Sequence, residues 1–184
     1  MQPISTTAAS YDSRTIWFHW LTAVLVVAQW IGAKTIDMWP RGPLRVDAQS
    51  LHVTAGIAIG ILVLARIVWR VSGGRQLPAA DFAALHILAK AVQWGLYLLV
   101  LGTVGLGLAM VSLRSMSFFN LFMLPTLADG SRATSGAIHG LHELAGTTIL
   151  IVAGLHATAA LVHRYLLHDG VLARMIPRLA SSGP

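Results

Sequence analysis

The sequence contains no cysteine, which excludes a disulfide framework, a thiolate metal site and the covalent attachment of a c-type haem. Charge is nearly as scarce. Asp, Glu, Lys and Arg make up 11% of the 184 residues, against about 25% in an average soluble domain, too little to coat a water-facing surface. Acidic residues are the scarcer kind, 7 against 13 Lys and Arg, leaving a net charge of +6. That excess does not read as a nucleic-acid footprint, because the basic residues flank apolar stretches as membrane-surface anchors do. The polar segment Met1 to Thr15 carries one Arg and one Asp and lacks the basic start of a cleaved leader, so the first apolar stretch is expected to stay in the mature protein. No repeat of solenoid period is present. Residues 1–184 are expected to form a single transmembrane domain.

What fills the chain instead is apolar, 55% of it, gathered in four runs at about residues 16–33, 51–69, 85–111 and 138–167. At 1.5 Å per residue each run covers most or all of a roughly 30 Å hydrocarbon core, so the expected fold is an all-α integral membrane four-helix bundle. Trp17, Trp20 and Trp30 sit near the ends of the first run, where interfacial aromatics belong. Between the first two runs, Lys34 to Ser50 reads as a polar loop broken by Pro40, Gly42 and Pro43. The third run opens with His86 and Lys90, has no histidine in its middle, and reads as a packing wall. In the third loop the apolar stretch Phe118 to Leu124 is too short to span and predicts a short helix lying on the membrane surface.

The histidines organise these runs. His142 and His156 are fourteen residues apart, which is about 21 Å along a helix and within about 40° of the same face. Gly146, Ile149 and Ala153 lie on that face between them, mostly small enough to let a flat group lie close to the backbone. Four spans put both termini on one side. His19, near the terminal-side end of the first span, then matches the depth of His156, while His52, which starts the second span from the opposite side, matches His142. Gly56 and Gly60 follow His52 at four-residue steps. They serve equally for close helix packing of the GxxxG kind or as room for a porphyrin.

Intramembrane polar residues are functional candidates by default, although a histidine can also act as hydrogen-bonding glue between helices. Two imidazoles per level suit an iron whose other four positions belong to a porphyrin. Zinc prefers three or four protein ligands at one depth. His139, His142 and Glu143 form an H-x-x-H-E cluster, which is not the H-E-x-x-H order of zinc proteases.

The segments Trp17-Phe18-His19-Trp20, Leu51-His52-Val53 with Gly56, Leu141-His142-Glu143, Gly154-Leu155-His156-Ala157 through Ala160-Leu161-Val162-His163, and the ending Leu172-Ala173-Arg174-Met175-Ile176-Pro177 resemble the bacterial cytochrome b-561 family. The resemblance runs from Trp17 to Pro177. It implies a multi-pass protein of the bacterial inner membrane with two b haems, each held by two histidines, with His19, His52, His142 and His156 as the iron ligands in the pairs His19/His156 and His52/His142. It further implies oxidoreductase activity of the superoxide:quinone type, with ubiquinone as acceptor and lipid as surroundings. The alternatives are the haem b subunit of a hydrogenase or dehydrogenase complex, which needs a redox partner protein, and a haem-free membrane transporter or assembly factor. Lys90 and Gln93 stand where relatives carry histidines early in the third span, so no quinone contact is carried over there. His86, His163 and His168 are expected at the interface. His139 is a candidate for a propionate hydrogen bond or proton transfer.

Arg14, Arg66, Arg70, Arg75, Lys90, Arg164, Arg174 and Arg178 fall on the terminal side, against Lys34, Arg41, Arg45, Arg114 and Arg132 on the other. The positive-inside rule then places both termini in the cytoplasm. Arg14, Arg70 and Arg164 below, and Arg45, Arg114 and Arg132 above, are candidate partners for haem propionates.

Overall fold

The computed structural model describes residues 10–78 and 83–180, so most of the polar segment Met1 to Thr15 lies outside the described residues. Four helices, α1 (Ser13–Ile36), α2 (Pro43–Ser72), α3 (Ala83–Ser112) and α4 (Arg132–Tyr165), are all long and apolar enough to cross a membrane. Each is packed along its sequence neighbour, α1 on α2, α2 on α3 and α3 on α4, and α1 meets α4 over the smallest of the four side contacts. The helices therefore stand in a ring, with α2 and α4 across the bundle from each other.

Local chemistry sets the helix ends. The Asp12 carboxylate caps α1 by accepting the Thr15 amide at 2.9 Å, and the Ser131 hydroxyl caps α4 by accepting the Thr134 amide at 3.1 Å. α2 begins at Pro43, eight residues before the expected start of the second span. Proline in a first turn loses no hydrogen bond, since that N–H has no helical partner. Gly42 ahead of it supplies the φ of 154° that lets the chain turn in. Lys34 to Ser50 is thus the end of α1, a short turn and the first two turns of α2, rather than a loop throughout. α4 likewise starts six residues ahead of the expected Ile138.

The third loop departs from expectation. In place of a surface helix it forms a hairpin, β1 (Met116–Phe118) paired antiparallel with β2 (Phe122–Leu124). Phe119 and Asn120 both adopt left-handed backbone, φ 49° and 56°, and the Leu121 amide bonds the Phe118 carbonyl at 3.0 Å. Two successive positive φ values define a hairpin turn. The strained residues are held by α2: the Phe119 amide donates to the Ser50 hydroxyl at 2.9 Å, and the Asn120 amide group donates to Pro43 O and Asp47 Oδ1 at 3.0 and 2.7 Å.

The buried core is small and central. Ile59 and Val63 of α2, Tyr97 and Val100 of α3 and Ile149 of α4 pack together, flanked by Leu25, Val26 and Ile67. Most other large apolar side chains point outward, as they should where lipid is the solvent. At the lower end the chain turns back through short 3-10 segments at Leu172–Arg174 and Pro177–Ala180. The Trp20 indole donates to Met175 O at 3.1 Å, tying this tail to α1.

Candidate functional site

The core separates two polar levels. In the upper one the rings of His52 (α2) and His142 (α4) face each other across the bundle, with centres 6.1 Å apart and planes 75° apart. In the lower one His19 (α1) and His156 (α4) stand at 6.3 Å and 70°. A metal–imidazole bond of about 2.0 Å on each side, plus roughly 1.2 Å from nitrogen to ring centre, puts two trans imidazoles about 6.4 Å apart. Both observed spacings fit a single metal between the rings. Neither suits a hydrogen bond between the rings or close stacking.

The surroundings of the upper level fit a large flat group. A cavity of about 590 Å³ opens between α1, α2, α3 and α4 and is lined by both histidines, within the size range of about 300–1,000 Å³ typical of cofactor sites. Gly56 and Gly146, each one turn beyond a histidine on its own helix, line it too. A methyl group added at Gly146 would meet no protein atom, only the cavity. His142 Nδ1 lies 2.9 Å from the Thr103 carbonyl. A carbonyl only accepts, so Nδ1 carries the proton and Nε2 keeps a lone pair, the arrangement that orients metal-binding histidines. Among the described residues two buried side-chain polar atoms lack a protein partner, His52 Nδ1 and Trp30 Nε1, and both residues line this cavity.

Charges gather at the upper mouth. Lys34 Nζ pairs with Glu143 at 2.5 Å, and Arg45 pairs with Asp37. Arg114 Nε donates to the Ser135 hydroxyl at 2.7 Å, and His139 lines the cavity edge. His139, His142 and Glu143 do not converge on one point, and among the described residues no three His, Cys, Asp or Glu side chains gather as a metal site. Below, Arg14 lies over the Trp69 ring and Arg70 over the Tyr11 ring. His163 is joined to Asp169 at 2.5 Å. Burial alone would raise the Asp169 carboxyl, but the His163 and Val171 hydrogen bonds outweigh it and hold it below its usual range.

Three residues that sequence reasoning passed over belong to these levels. Thr103 and Gly107 on α3 meet His142: a Cβ at Gly107 would lie 3.1 Å from Cε1 of that ring. The helix read as a packing wall thus seats a histidine. Arg66 on α2 reaches His19, with Nη2 3.0 Å from Nδ1. Its spacing was a usable signal, since Arg66 follows His52 by fourteen residues, the same step that separates His142 from His156.

A membrane four-helix bundle that holds facing imidazoles in its interior has the build of a b-type electron-transfer cytochrome. A family model for prokaryotic cytochrome b561 matches residues 10–178, and the chain belongs to that family. Its relatives are similar end to end. The probable superoxide oxidase CybB of Yersinia pestis is 29% identical over 171 residues, 91% of this chain and 96% of that protein. Cytochrome b562 of Cereibacter sphaeroides is 30% identical over 172 residues, covering 90% and 94%. Cytochrome b561 homolog 2 of Escherichia coli (strain K12) is 27% identical over 173 residues, covering 89% of each. Membership makes the chain a multi-pass membrane electron-transfer protein of haem b type and sets aside the haem-free transporter or assembly factor.

Proposed function

We propose that this protein binds two b haems, one between His52 and His142 and one between His19 and His156, and carries electrons from superoxide at the outer face to membrane quinone, with both termini in the cytoplasm. The observation that carries the reading is the pair of facing imidazole couples, spaced 6.1 and 6.3 Å between ring centres, one above the other through the bundle. Haem held by these histidines would supply a one-electron iron couple, which suits electron transfer.

The chain's own residues do the positioning. Thr103 O and Gly107 orient His142. Gln29 Nε2 donates to the His52 carbonyl at 2.6 Å and ties α1 to α2 beside that ligand. The apolar layer of Ile59, Val63, Val100 and Ile149 keeps water out between the two levels. Two superoxide anions oxidised to dioxygen release two electrons, which with two protons convert one quinone, ubiquinone in this reading, to quinol. The choice of superoxide rests on the name of the Yersinia pestis relative and on Arg114, an exposed cation lining the cavity mouth, where Lys34 is paired with Glu143 and nearby Arg45 with Asp37.

The test is direct. Purified protein should hold two haems per chain, and a superoxide pulse should reduce them at a rate that falls with ionic strength, because the partner is an anion. Added ubiquinone should then reoxidise them. Haems that superoxide leaves oxidised, but that a dehydrogenase or quinol reduces, would replace this reading with the respiratory haem-subunit alternative.

A further inference from the structure

Arg66 is a cation at membrane depth whose chemistry is incomplete. Its guanidinium lies partly buried inside the bundle, Nη2 3.0 Å from His19 Nδ1 and Cζ 5.3 Å from the centre of the Tyr97 ring. No ion pair among the described residues involves it. A guanidinium has five N–H donors and no acceptor, and a charge held away from water without a counter-charge is costly.

Its bond to His19 is also conditional. Arginine can only donate, so Nδ1 of His19 accepts and the ring proton sits on Nε2. A metal ligated through Nε2 requires that proton to move to Nδ1, which then repels the guanidinium. A metal ligated through Nδ1 takes the lone pair that Arg66 was using. Ligation through either nitrogen therefore releases Arg66, and the arriving group brings carboxylates of its own.

Among the described residues the upper level has no equivalent. Its nearest cation on α1, Lys34, is neutralised by Glu143 at 2.5 Å, and Arg114 is exposed, where solvent screens it. α2 thus presents a histidine to the upper level and, fourteen residues later on the same face, an arginine to the lower one. A cation that pairs with a carboxylate beside a redox iron cancels the negative charge there, and this favours the reduced, less positive form.

Building on the di-haem reading, we infer that Arg66 is the counter-cation of the lower level: it binds a carboxylate of the group held by His19 and His156 and sets that level at a higher reduction potential than the upper one. The arrangement would draw electrons from the His52/His142 level toward the His19/His156 level, inward across the membrane. Arg66 is a positioning and potential-setting residue in this account, with no iron-ligating role.

The experiment is a spectroelectrochemical titration of the full-length purified protein with haem stoichiometry measured in parallel, comparing wild type, Arg66→Gln and Arg66→Lys. The lower component is assigned as the one missing in His156→Ala. In wild type the lower component should have the higher potential. In Arg66→Gln it should shift down by about 59 mV or more, a tenfold change in the one-electron equilibrium, with the upper component unmoved. If Arg66→Gln loses the lower haem outright, Arg66→Lys should restore it, because the charge is the working part. Unchanged potentials in Arg66→Gln, a wild-type lower potential below the upper, or haem loss that Arg66→Lys does not repair would overturn the inference. Wild-type protein with fewer than two haems would instead remove the di-haem reading on which it rests.

Discussion

Replacing Gly107 with alanine tests how tightly α3 seats the upper histidine. The added methyl would stand 3.1 Å from His142 Cε1 and 3.5 Å from Nδ1, where ordinary contact begins at 3.4 Å. The ring cannot retreat freely, because Nδ1 is bonded to the Thr103 carbonyl at 2.9 Å. Overpacking of this kind costs about 1–3 kcal/mol, and at 1.4 kcal/mol per tenfold it corresponds to roughly 5- to 150-fold weaker retention of the group between His52 and His142. The assay is the haem-to-protein ratio, followed with temperature by the reduced-minus-oxidised spectrum. Gly105→Ala is the internal control. It lies on the same helix, its added methyl meets nothing within 4 Å, and alanine gains roughly 0.5–1 kcal/mol over glycine in a helix interior. Gly107→Ala should lose the upper spectral component at lower temperature than wild type, while Gly105→Ala should match or exceed wild type. Indistinguishable behaviour of the two variants would refute the seating of His142 against Gly107.

His52→Ala and His142→Ala should abolish one spectral component, and His19→Ala and His156→Ala the other, whereas His139→Ala and His163→Ala should keep both; loss of the same component from His19 and His142 variants would break the pairing. Burial would raise the Asp12 carboxyl, but hydrogen bonds from Thr15, the Arg75 amide and Trp69 outweigh it and leave it well below its usual range. A depressed folded-state value contributes stability above the unfolded value of about 3.9 that disappears as pH falls through the folded one, so wild type should melt above Asp12→Asn at neutral pH and lose that margin in acid. Asn120→Ala removes two of the three bonds that pin the hairpin to α2 and leaves a left-handed residue without its side-chain support, so amide exchange across 116–124 should rise by at least tenfold. A reporter fused to the C-terminus should be active in its cytoplasmic form and silent in its exported form, with the reverse pattern inverting the assignment of the superoxide-facing side.

Much of this architecture was readable because membrane helices obey a local rule. A run of apolar residues must satisfy its own backbone in lipid, so length and composition alone announce four spans. The 3.6-residue period then places His142 and His156 on one face without reference to any other helix. Boundaries were less readable where polar helix continues beyond the membrane. Pro43 to Ser50 and Arg132 to Ala137 are helical because a proline in the first turn and a Ser131 cap satisfy their ends, and neither signal depends on hydrophobicity. The segment Phe118 to Leu124 shows the opposite failure. Its apolar character was read as membrane affinity, but its conformation is set by Ser50, Pro43 and Asp47, roughly seventy residues away in sequence.

By itself the sequence determined that this is a four-span membrane protein of the b561 family with histidines at two depths, because span length, helical phase and local motifs are properties of single segments. Only the tertiary structure decided how those histidines are served. It set Thr103 and Gly107 against His142 from a helix with no histidine in its middle, brought the charge of Arg66 beside His19 rather than to the lipid surface, and neutralised Lys34 with Glu143. Such contacts join side chains on different helices. Which side chains meet depends on the rotation and register of one helix against another, and these are set by packing across the whole bundle rather than by any one segment.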